Sequence, residues 1–167
     1  MSILYNMGVF NTILHFRLRY FSVFCCVLFS LLLTAQTYYY QGQNNYNRDI
    51  LYTWDGQYLY LGKSTYKRDI LYTWDGKHVY NGCSTYKKDI LYTWNGKYFF
   101  RGNSTYKKDI MYTWDGKTLF VGKSTYKRDI VYTYDGNHIY KGNTTYKRDI
   151  ISSTNGKIPI PIIITIL

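Results

Sequence analysis

The chain has 167 residues, with 21 Lys+Arg, 10 Asp+Glu and a formal net charge of +11. Every acid is Asp, Glu is absent and Ala35 is the single alanine, which argues against a helical protein, because Ala and Glu are among the best helix formers. A hydrophobic content of 46% excludes a disordered chain, and the abundance of Tyr, Trp, Ile and Thr fits a pleated sheet.

Residues 1–35 differ in composition from the rest and read as a signal peptide, with a membrane anchor as the alternative. Arg17 and Arg19 precede the apolar run Tyr20–Leu33, and Thr34-Ala35-Gln36 supplies the small residue before a polar start. The run is short for a spanning helix, which needs about 20 apolar residues. Ile13, Leu14 and Phe16 lengthen it in the anchor reading, and Met7 is an alternative start. Cleavage after Ala35 leaves an exported chain whose single cysteine, Cys83, has no internal partner, so packing must hold the fold.

Residues 36–157 form a β-hairpin repeat domain with a period of 20. Arg48-Asp-Ile-Leu-Tyr-Thr-Trp-Asp-Gly56 recurs at 68, 88, 108 and 128, giving units that start at Gln43, Lys63, Cys83, Asn103 and Lys123. A sixth, starting at Asn143, decays after Ile151. Within a unit, Ile50–Trp54 is a strand, Asp55-Gly56 signals a two-residue type I′ turn and Gln57–Leu61 is the return strand. That turn pairs Trp54 with Gln57, Tyr52 with Leu59 and Ile50 with Leu61. One face then carries Ile50, Tyr52, Trp54 and Leu59, and the other Leu51, Thr53, Tyr58 and Tyr60. Both hold apolar residues, so single hairpins must stack or close on one another.

The ends indicate which. The return strand of the sixth unit is broken by Pro159 and Pro161, while Tyr38–Gln41 is an orphan return strand ahead of the first unit. Pairing the two closes a ring of five whole hairpins and one hybrid and removes exposed edges. The predicted fold is therefore all-β, with 20-residue hairpin repeats closing into a shallow, radially symmetric barrel; an open hairpin solenoid is the alternative. The apolar tail, residues 158–167, suits an interior plug, an added strand, a membrane contact or a degenerate terminus without a role.

The repeated Tyr-Thr-Trp-Asp-Gly turn, its return-strand aromatics and the period resemble the β-flower families over residues 38–157. The resemblance implies an all-β ring with an apolar central channel. Through its likeness to Tubby-type and scramblase-type barrels, it also implies a lipid or membrane role. The sixth unit departs from strict symmetry. Choline-binding and glucan-binding repeats are also similar, but their Gly-Trp start is missing here.

Two constellations carry candidate chemistry. Basic residues recur in every inter-hairpin loop: Arg48, then Lys67/Arg68, Lys87/Lys88, Lys107/Lys108, Lys127/Arg128 and Lys147/Arg148. The period sets them on one rim, where they would attract an anionic lipid or membrane surface, or acidic polysaccharide; the plain alternative is solvated turns. Nucleic acid is not expected, because the aromatics fall on strands. The second constellation is an aromatic ladder of Tyr52, Trp54, Tyr72, Trp74, Tyr92, Trp94, Tyr112, Trp114, Tyr132 and Tyr134, read as a sugar-stacking or interfacial surface, or as cross-strand packing.

No metal site or cofactor is expected, since His78 and His138 lack companions, and Cys83 is an incidental loop thiol. Asn103 and Asn143 head glycan-acceptor triplets, relevant only in a eukaryotic secretory route. Copies of the same few residues do not assemble the asymmetric group that catalysis needs. The expectation is a non-enzymatic, exported, envelope-associated binding module. Its first-ranked ligand is anionic lipid, its second carbohydrate or cell wall; a purely structural role ranks third.

Overall fold

The computed structural model describes residues 36–167. Twelve strands alternate with short loops: β1 (Thr37–Gln41), β2 (Ile50–Trp54), β3 (Tyr58–Leu61), β4 (Ile70–Trp74), β5 (His78–Asn81), β6 (Ile90–Trp94), β7 (Tyr98–Arg101), β8 (Ile110–Trp114), β9 (Thr118–Val121), β10 (Ile130–Tyr134), β11 (His138–Lys141) and β12 (Ile150–Thr154). One helix, α1 (Ile160–Ile166), follows. The leader reading falls on residues 1–35, outside the described residues.

The strands form one closed antiparallel barrel in sequence order, sealed by β1 against β12. Tyr39 pairs with Thr154 and Gln41 with Ser152. This is the same register as Leu59 with Trp54 and Leu61 with Tyr52 inside a whole unit. The sixth hairpin is thus hybrid, built from both ends of the described chain. Asn155 Oδ1 accepts the Tyr38 N–H at 2.7 Å, as Asp55 Oδ1 accepts the Tyr58 N–H at 2.7 Å. Space at the seam is tight: a Cβ on Gly156 would lie 2.7 Å from Thr37 Oγ1.

The turn register differs from the expected one. Trp54 pairs with Leu59, not Gln57, so the connection is two residues longer on the return side. The cause is the Asp55 side chain, whose Oδ1 accepts from the backbone N–H groups of Gln57 and Tyr58. Those donors are drawn into an Asx-type turn rather than a ladder. Among the described residues positive φ is confined to glycine, with Gly56 at 105°, so Asp55 does not take the left-handed position that a type I′ turn requires. The slip is an even number of residues and leaves the two faces unchanged between Tyr52 and Tyr60.

A β-bulge changes them at the other strand end. Between units, Leu59 pairs with Tyr72 and Tyr60 with Ile70, so Leu71 is an extra residue. The residue expected on the outer face turns inward: Val131 and Ile151 pack against the interior clusters. Its neighbour moves outward, as when Ile130 pairs with Phe120.

The interior is layered. Return-strand residues Tyr39, Leu59, Val79, Phe99, Leu119 and Ile139 form a buried ring, with Tyr52-type and Trp54-type residues packed on it. Helix α1 fills the space that the resemblance leaves as a channel. Ile158, Ile162 and Ile163 pack with Tyr39, Trp54, Leu59, Val79 and Ile139, and Ile164 with Phe99 and Leu119. The tail is therefore a plug. The departures in the sixth unit fit it: Ser152 and Thr154 replace Tyr and Trp where the tail enters, and the Tyr39 hydroxyl donates to Ser152 Oγ at 2.6 Å.

On the outer face, the Thr of each whole unit is buried and donates to the carbonyl of the glycine that ends the return strand, as in Thr93 Oγ1 to Gly102 O at 2.7 Å. Thr93→Val keeps the shape and orphans that acceptor. Stability should fall by about 1–3 kcal/mol, read from the urea midpoint.

Candidate binding surface

The two ends of the barrel differ in charge. The inter-hairpin loops and the strand ends beside them carry 15 basic residues and 6 aspartates, a formal +9. At the opposite, turn end, Lys77, Lys97, Lys117 and Lys157 are balanced by Asp55, Asp75, Asp115 and Asp135. The formal charge of the described residues thus sits at one end.

Each inter-hairpin loop narrows into a 3-10 turn, such as Lys67–Asp69, that holds the basic pair. Its geometry is set locally. Ser64 Oγ donates to Asp69 Oδ2 at 2.5 Å and accepts the Tyr66 N–H at 3.2 Å. The same pair of bonds recurs from Ser84, Ser104, Ser124 and Thr144. The aspartate thereby fastens the loop, and the cations project: Arg68, Arg128 and Arg148 side chains are each 82% exposed. Contacts from Arg to the adjacent Asp, 3.6–3.8 Å, are long and solvated, and contribute little. All eleven basic residues singled out from the sequence lie on this rim.

A ring of tyrosines that the strand-centred reading passed over shares it. Tyr46, Tyr66, Tyr86, Tyr106, Tyr126 and Tyr146 each precede a 3-10 turn and are 57–72% exposed. Arg48 stacks over Tyr46 at 5.3 Å, and Arg68, Arg128 and Arg148 over their tyrosines at 5.4 Å. Aromatic and basic residues therefore interleave at the loops, contrary to the premise used against nucleic acid. The sequence signal was available: a Tyr before every basic pair, outside any strand.

The aromatic ladder is placed differently. Tyr52, Tyr72, Trp74, Tyr92, Trp94, Tyr112, Trp114, Tyr132 and Tyr134 are partly buried against the interior clusters, and Trp54 is 4% exposed within one. Their inward faces are engaged by strand neighbours and α1. The described residues contain no group of three or more potential metal ligands, and Cys83 is exposed.

At the turn end, hydroxyl and carboxylate vary together. Tyr60, Tyr80 and Tyr140 donate to Asp55, Asp75 and Asp135, each at 2.7 Å. Where the return strand carries Phe100 the turn acid is Asn95, and where it carries Phe120 the Thr118 hydroxyl serves Asp115 instead. Burial favours the neutral form of Asp135, but hydrogen bonds from Tyr140, the Asn137 and His138 N–H groups and the His138 ring outweigh it and bring the carboxyl down to about 2. Burial and the Asp75 bond push the Tyr80 phenol up to about 12. The Asp135 bond and burial do the same for Tyr140.

The signs give opposite pH limits. Asp135 stabilises the fold above its ordinary value of 3.8, and this is lost as pH falls towards 2. The phenols stabilise it below their ordinary 10.0, and this is lost as pH rises through 12. Urea midpoints should hold between these limits and fall outside them. Tyr80→Phe with Tyr140→Phe should flatten the alkaline fall.

A family model described as "6-fold beta flower protein" matches residues 39–164. No curated protein and no solved structure matches the chain.

Proposed function

Because this chain belongs to the 6-fold β-flower family, whose description names an architecture and no ligand, we propose that it is a non-enzymatic module that docks its loop end on an anionic lipid surface. The observation that carries this is the shared rim: six exposed tyrosines interleaved with eleven basic side chains, at the end of the barrel that bears the formal charge. Basic residues near an acidic membrane contribute about 1 kcal/mol each at low salt. Tyrosine rings suit the headgroup layer, where one edge meets apolar chains and the hydroxyl meets water.

The ring form makes the contact collective. Six loops recurring every 20 residues around a closed ring fall on one end, so the barrel would stand on the surface with its axis upright. Serine–aspartate bonds order the loops beforehand, which limits the entropy lost on docking. An exported, envelope-associated location accords with the leader reading of residues 1–35. Among the described residues no helix is long and apolar enough to cross a membrane; attachment by the rim requires none.

Co-sedimentation tests this, using the full chain and a preparation lacking residues 1–35, with neutral and anionic vesicles at low and high salt. Binding of both preparations to anionic vesicles only, lost at high salt, is the expected result. Equal binding to neutral vesicles, or binding indifferent to salt, would sink the proposal. A rim that ignores anionic vesicles but retains polyanionic RNA would reassign the same surface.

A further inference from the structure

The six units are not equivalent at the mouth of the loop end. Position 61 of the unit, the last residue of each return strand, pairs with a Tyr52-type residue and so shares the inner face. It varies from copy to copy, and only in the third unit is it arginine, Arg101. A cleft of about 370 Å³ opens there, across the inner wall of β7 to β10. Arg101 and Lys108 line it together with Met111, Tyr112, Val121 and Val131. Tyr112 and Val131 also pack on the buried Phe99–Leu119–Ile164 cluster, so the apolar wall is continuous with the interior. One acid, Asp109, borders the cleft, and its Oδ2 already accepts a hydrogen bond from Ser104.

The rim changes character on the same side. Arg stacks on the loop tyrosine in four units, but the loop that lines the cleft carries Lys108 in its place, and the loop before it Lys88. Tyr86 and Tyr106 are the most exposed tyrosines of the rim, at 72% and 71%.

We propose that this cleft holds one anionic phospholipid drawn from the docking surface, its phosphate on Arg101 and Lys108 and its acyl chain along Met111, Val121 and Val131. Charge complementarity selects the head: a guanidinium and an ammonium on one cleft suit a phosphate group. The continuous apolar wall selects a chain, since an inorganic anion would leave it exposed to water. The volume lies in the range of ligand sites, about 300–1,000 Å³. The inference deepens the docking proposal and rests on it for the source of the lipid, while the site itself can be tested apart from any membrane.

The probes are dodecyl phosphate below its micelle concentration, dodecyl maltoside and inorganic phosphate, titrated calorimetrically into the full chain. Saturable one-to-one binding of dodecyl phosphate is expected, at least about tenfold tighter than either control, the scale of one charge-assisted phosphate bond. Arg101→Leu places here the residue found at Leu61, so the fold tolerates it. It should lose that tenfold, and Arg101→Lys should recover part of it. Equal binding of dodecyl maltoside or of inorganic phosphate, or an Arg101→Leu protein that binds as before, would overturn the site. A five-lysine variant (K67Q, K87Q, K107Q, K127Q, K147Q) separates the two proposals. It spares the cleft, so it should keep dodecyl phosphate while losing vesicles; loss of both would show the cleft to be mere rim attraction.

Discussion

Ile162→Asp is expected to abolish the folded state, and ending the chain at Lys157 should do nearly as much. Ile162 is fully buried inside the barrel, with Ile158, Ile163 and Ile164 beside it. Burying an isoleucine contributes about 1.5–3 kcal/mol, so these four account for about 6–12 kcal/mol, the size of a domain's whole net stability. Ile162→Ala should cost about 2–5 kcal/mol through the void it leaves. Aspartate in that place adds an unpaired buried charge. Leu167→Asp is the internal contrast: Leu167 is 38% exposed, and the change should stay within about 0.5 kcal/mol. Thermal unfolding followed by near-ultraviolet circular dichroism reads all four. A truncated chain that melts like the intact one would show that the ring stands without its plug.

The repeat, the hairpins and the closing of the ring were legible because each is written several times or at both ends. Tyr38–Gln41 lacks a partner strand in its own hairpin, and Ile150–Thr154 lacks a return strand; either alone is ambiguous, and together they specify a seam. What escaped the sequence reading turns on side chains competing with the backbone. The Asp55 carboxylate takes the Gln57 and Tyr58 N–H groups, the first of which a type I′ turn would give to the Trp54 carbonyl, and no hydrophobic pattern records that. The bulge at Leu71 breaks the two-residue alternation on which face assignment depends. The helix of the tail is legible only afterwards. Isoleucine is a poor helix former, and Pro161 is tolerated because it lies in the first turn. An enclosed apolar space, created by the other twelve elements, decides the conformation of α1.

The candidate surface was half legible. Its cations follow from the period, since loops spaced by 20 residues in a ring must fall on one end. Its tyrosines did not stand out among the 22 of the chain, most of which serve the sheet. Separating them requires knowing that Tyr66 precedes a 3-10 turn and is 67% exposed, whereas Tyr60 is 6% exposed beneath its own loop. Arg101 was equally hidden, for its position varies among copies as an exposed site does. Only the register places it on the inner face of the mouth.

The five-lysine variant carries the largest expected effect on binding. Lys67, Lys87, Lys107, Lys127 and Lys147 take no part in the Arg–Tyr stacks, the serine–aspartate bonds or the core. Replacing them with glutamine lowers the formal charge of the loop end from +9 to +4 and leaves the fold intact. At about 1 kcal/mol each, the loss is about 5 kcal/mol at low salt, a fall of three to four decades in affinity for anionic vesicles. At physiological salt the screening length is about 8 Å, and the difference between variant and parent should shrink. Replacing Tyr66, Tyr86, Tyr106 and Tyr126 with serine should act otherwise. Rings at an interface contribute by burial, so binding should weaken by a similar factor at low and high salt. The two variants thus divide the rim into a screened part and an unscreened part. A five-lysine variant that sediments with anionic vesicles as the parent does would remove the rim from the account, whatever the tyrosines do. Tyrosine changes that alter only the salt-sensitive part would mean that the rings serve to hold the arginines upright rather than to enter the lipid layer.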